Sequence, residues 1–141
     1  MVTPMVLIAL MALFDFALVE LRQSQLTSAA RDGARTGIIQ WQDADLGTYT
    51  GGSCPATPVS FGAICSSVLQ RLAGATANSV AVQCYVKSTS TVEACASGGV
   101  VEGLDTLQVT VNYSYTPSTI VGQTFIGTSH SFTATARMVI Q

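Results

Sequence analysis

The chain has 141 residues, 10% of them charged and 48% apolar, with a formal net charge of −2. Ordinary soluble domains carry roughly 25% charged residues, so this surface is one of hydroxyls and glycines, which suits an exported or self-packing protein. Six scattered Lys and Arg exclude the dense cationic face that phosphate binding requires, and no nucleic-acid partner is expected.

The first element is apolar. Residues 1–14, MVTPMVLIALMALF, contain no charge, and FALV at 16–19 resumes the run after Asp15. From Met1 to Leu21 a helix would measure about 31 Å, enough to cross a bilayer core. A cleavable secretory signal needs a basic leader region and a small-residue cleavage site. No Lys or Arg precedes Arg22, and FDFALVELRQ offers no such site, so the segment is expected to be retained. Arg22, Arg31 and Arg35 all follow it, which by charge bias would put that side in the cytoplasm. The cysteines downstream argue the opposite, and a basic leader removed after orienting the chain would reconcile the two.

The helix is expected to continue through FALVELRQSQLTSAARDGARTGII at 16–39, which holds no proline. Ala30, Gly33, Ala34 and Gly37 recur at i, i+3, i+4 and i+7, one narrow face of small side chains. Each helical Gly costs roughly 1 kcal/mol relative to Ala, so something should approach this backbone closely, and a sheet is the natural candidate.

The run from Pro4 through LIALMALF, Asp15 and Phe16 to QSQLTSAARDGAR resembles the TadE-like family of pilin-related proteins. The matching positions are Pro4, Asp15, Phe16, Gln23, Gln25, Leu26, Thr27, Ala29, Ala30, Arg31, Asp32, Gly33, Ala34 and Arg35, with Asp15 and Asp32 standing where the family more often has Glu. The family's prepilin cleavage site and the acid that follows it would lie before Pro4. The resemblance implies a type IV pilin-like ladle, an α+β fold in which a long helix packs on a small antiparallel sheet. It implies residues 1–22 as a membrane-spanning or filament-core helix, 23–39 as its amphipathic continuation, and 40–141 as the exported domain. It further implies assembly through the helix into a Tad-type filament, involving Asp15, Glu20 and Arg22. A minor pilin or pseudopilin that primes or tips another protein's filament is the alternative. The partners implied are copies of the chain, other pilins and pilus assembly machinery, with the inner membrane holding the chain before assembly and the cell surface afterwards.

Residues 40–58, with Trp41, Asp43, Asp45, three glycines and two prolines, read as a surface loop. Ser60 is the candidate cap of a second helix, because Ile64, Val68, Leu69 and Leu72 then follow at helical spacing before Gly74. Three alternating stretches, SVAVQCYVK, LQVTVNYSY and SFTATARMVIQ, predict strands with one buried face. The connection 88–103 reads as a hydroxyl- and Gly-rich hairpin region clamped at Cys95.

Cys54, Cys65, Cys84 and Cys95 fit neither the close pairs of a zinc site nor a CxxC redox motif. Four cysteines allow three connectivities, and Cys54–Cys65 with Cys84–Cys95 is favoured because each closes a short loop. Disulfides place the domain in an oxidising compartment.

Nothing in the sequence assembles a catalytic centre or a cofactor site. His130 is the lone histidine, and flanking Ser129 and Ser131 would point away from it on a strand. Asp43, Asp45, Glu93, Glu102 and Asp105 lack the order of a calcium loop. The sequon Asn112-Tyr113-Ser114 falls inside a strand pattern. The chain reads as a structural protein, not an enzyme.

Overall fold

The computed structural model describes residues 3–39, 47–50, 54–55, 59–72, 77–93, 95, 105–117, 119, 122–124 and 127–140. The first element, α1 (Thr3–Gly37), is a single 35-residue helix, about 52 Å long at about 1.5 Å per residue. It is followed by β1 (Thr48–Thr50), α2 (Val59–Arg71), β2 (Ser79–Val86), β3 (Thr91–Glu93), β4 (Thr106–Tyr115) and β5 (His130–Val139). The expected α+β arrangement, a long helix on an antiparallel sheet with a short second helix and two disulfides, is the one observed.

All the strand pairs are antiparallel. The sheet runs β1-β2-β4-β5, and β3 joins it by pairing with β2. β1 covers Ser79–Ala81 of β2 and β3 covers Cys84–Val86, so the two short strands share the edge of β2 that β4 leaves open. The β2–β3 hairpin turns through Lys87–Ser90, where Ser90 takes a positive φ of 55°. Period-two alternation sends Val80, Val82, Cys84, Leu107, Val109 and Val111 inward, all fully buried. The opposite face is bridged by short polar side chains. Thr133 donates to Asn112 at 2.6 Å, Asn112 donates to Ser79 at 2.9 Å, and Arg137 donates to Gln108 at 2.6 Å while stacking over Tyr85. Both ends of the Asn112 amide are thus engaged within the sheet.

The loop expected at 40–58 is interrupted by β1, whose Tyr49 is buried against the core while Thr48 and Thr50 face out. Backbone pairing with Ser79–Ala81 makes this strand, and three residues are too few to show a period in sequence. α2 begins at Val59, so Ser60 lies inside the first turn, 2% exposed, and is not the cap. Ile64, Val68 and Leu72 are buried as their spacing requires.

Both disulfides have the local connectivity. Cys54 bonds Cys65, tying the segment before α2 to its middle, and Cys84 bonds Cys95, closing β2 onto the residues after β3. Asp105 adds a polar tie. Its carboxylate accepts from the Lys87 amide at 2.9 Å, and its carbonyl accepts from Ile140 at 2.9 Å. The exits of β2 and β5 are thereby fastened to the start of β4.

Candidate functional site

The candidate site is α1 itself, whose two ends differ. Its C-terminal half carries Leu26, Ala29, Ala30, Gly33, Ala34 and Gly37 on a buried face. Ala30, Gly33, Ala34 and Gly37 are all buried, and the two glycines face both the sheet and α2. A Cβ at Gly33 would stand 2.6 Å from Val68 of α2 and 3.3 Å from Val109 of β4. A Cβ at Gly37 would collide with Leu107 of β4 and approach Ile64 of α2 to 3.4 Å. Two elements meet over one stripe, which is why both glycines lack room for a side chain. Asp32, beside the stripe, pairs with Arg71 of α2.

The N-terminal half is bare. Met5, Leu10, Leu13, Phe14 and Phe16 are between 59% and 76% exposed. The helix is long and apolar enough to cross a membrane, with a mean hydropathy of 2.1 over its best window.

Asp15 divides the halves. It is 0% exposed, and what covers it belongs to the domain. Thr119 donates to Asp15 Oδ2. Gly122 sits so close that a Cβ there would fall onto the carboxylate and within 2.9 Å of Pro117. The cover bonds to itself as well. The Gly122 amide donates to Thr119 Oγ1 at 2.9 Å, the Gln123 amide to the Thr119 carbonyl at 3.0 Å, and Gln123 Nε2 to the Pro117 carbonyl at 3.2 Å. Asp15 Oδ1 and the Tyr115 hydroxyl are buried without hydrogen-bond partners. Burial pushes the Tyr115 hydroxyl above its ordinary pKa, and the Asp15 carboxylate adds to the effect.

Within the chain, Asp15 has Thr119, 104 residues away, as its partner. Arg22 is half-buried and donates to Gln25 at 3.0 Å, while Glu20 is exposed. Asp15, Glu20 and Arg22 are therefore not gathered into one cluster. Thr119, Pro117 and Gly122 went unnoticed because a lone Thr and Gly in a connecting segment carry no pattern.

The remaining candidates are structural. His130 is exposed at the start of β5, its ring 5.1 Å from Phe132. Among the described residues no three His, Cys, Asp or Glu side chains gather as metal ligands. Asp43, Asp45 and Glu102 lie outside the described residues.

Residues 1–35 match the family model described as TadE-like protein, the family that the sequence of α1 resembles. The match falls on α1 and leaves the sheet outside it. No curated protein and no solved structure matches the chain.

Proposed function

We propose that the chain is a structural, non-enzymatic subunit of a Tad-type pilus, which polymerises through α1 into an extracellular filament. Before assembly α1 holds the chain in the inner membrane, and afterwards the same helix lies in the filament core. The observation that carries this reading is the contrast along one continuous helix. From Ala29 to Gly37 one face is buried under its own domain, and from Met5 to Phe14 the large apolar side chains are exposed. Contiguous apolar surface of that kind marks a membrane or protein contact, not a face left in water. Fully burying a Leu or Phe side chain gains about 1.5–3 kcal/mol, so a neighbouring helix or lipid is strongly favoured over solvent. The family match to α1 supports a pilus-related role on independent grounds.

The test is assembly of the purified full-length chain after detergent removal. Fibres seen by electron microscopy and containing a single protein band are expected. If the chain enters fibres only when a second pilin is supplied, it is the minor or priming subunit. Failure to enter fibres under both conditions defeats the polymer reading.

A further inference from the structure

The apolar character of α1 does not stop at Asp15, since exposed Phe16, Ala17 and Leu21 continue it. What changes at Asp15 is the company. The carboxylate is met by Thr119 and Gly122, with Pro117 against Gly122, and exposed Gln123 and Thr124 follow Gly122 in the chain. A hydrocarbon phase that took in the helix as far as Leu21 would have to strip water from these polar groups, or expel them and leave Asp15 facing lipid. Both are unfavourable, because taking an exposed amide and hydroxyl out of water, or leaving an acid facing hydrocarbon, is expensive. A boundary at Asp15 avoids both costs. The bare stretch of α1 lies on the apolar side, the Asp15 carboxylate is sealed by its own domain, and Gln123 and Thr124 reach the polar layer.

We propose that the Asp15 enclosure is a membrane-docking stop: it seats the floor of the exported domain on the headgroup layer of a bilayer and ends the embedded part of α1 at Asp15, not at Arg22. Asp15 is the positioning residue, acting through Thr119 and the close approach of Gly122. The proposal rests on the reading of α1 as a membrane-held helix.

The test places an environment-sensitive fluorophore on the full-length chain through Leu7→Cys or Ala17→Cys, the native cysteines being disulfide-bonded. Each labelled chain is reconstituted into phosphatidylcholine vesicles with quenchers at the headgroup or deep in the acyl chain. The expected result is deep quenching at position 7 and headgroup quenching at position 17. Adding Asp15→Leu, which removes the acid and its bond to Thr119, should move position 17 into reach of the deep quencher and shift its emission to the blue. Deep quenching at both positions in the otherwise unchanged chain overturns the stop while leaving the membrane-held helix standing. A shallow position 17 that Asp15→Leu does not move overturns the role assigned to Asp15. Loss of quenching at position 7 as well overturns the membrane-held helix, and the stop with it.

Discussion

Gly33 of α1 faces Val68 of α2 so closely that a Cβ would come within 2.6 Å of the valine Cγ2, with Val109 of β4 only 3.3 Å away on the other side. The helix can lie in the angle between α2 and the sheet because this position has no side chain.

Gly33→Leu should therefore overpack the junction. Forcing extra carbons into a filled core costs typically about 1–3 kcal/mol. A lower melting midpoint for the full-length chain in detergent is the expected result. An unchanged midpoint would mean that α1 and α2 separate without consequence for the domain.

The two disulfides each close a loop of sequence separation 11, in a domain too small to rely on its core alone. Replacing Cys84 and Cys95 together by Ala should cost about 2–4 kcal/mol in denaturant unfolding. Peptide mapping without reductant should recover Cys54 linked to Cys65 and Cys84 linked to Cys95. A peptide joining Cys54 to Cys84 would contradict the structure.

Tyr115 makes the stability of the chain depend on alkaline pH. Its folded pKa is raised, first by burial and then by the Asp15 carboxylate, above an ordinary value of about 10. Between the unfolded and the folded pKa the native chain holds a proton that the unfolded chain has lost. The contribution is intact below about pH 10 and declines as pH rises through the folded value. Tyr115→Phe should flatten that alkaline decline. At neutral pH it should change stability by less than about 1 kcal/mol, because the hydroxyl it removes has no partner. Unfolding midpoints across the alkaline range check both statements. An equally steep decline in Tyr115→Phe would assign it to another group.

Much of this was legible in the sequence, for identifiable reasons. The small-residue stripe at Ala30, Gly33, Ala34 and Gly37 announced a close packing, since helical glycines on one face carry a cost that only contact repays. The sequence did not say that α2 shares that contact with the sheet. Alternation revealed β2, β4 and β5 because each is long enough to repeat, whereas β1 owes its existence to three backbone pairings with β2. The spacing of the cysteines favoured local loops, and local loops formed. Asp15 was visible as an acid in an apolar helix, but its cover was not. Thr119 and Gly122 come from a segment about a hundred residues away, and only the folded chain brings them over the carboxylate.

If the chain polymerises through α1, the exposed part of the helix is buried against other copies of α1 in the filament. Leu13, 64% exposed in the single chain, is the position to question. A Leu13→Cys chain should be assembled, oxidised and resolved without reductant. Polymerisation through α1 requires covalently linked dimers that appear with the fibres and are absent from the same chain dispersed in detergent. Fibres in which the introduced thiol forms no such link and stays open to a thiol reagent would show that the domains polymerise without the helix, and would contradict it.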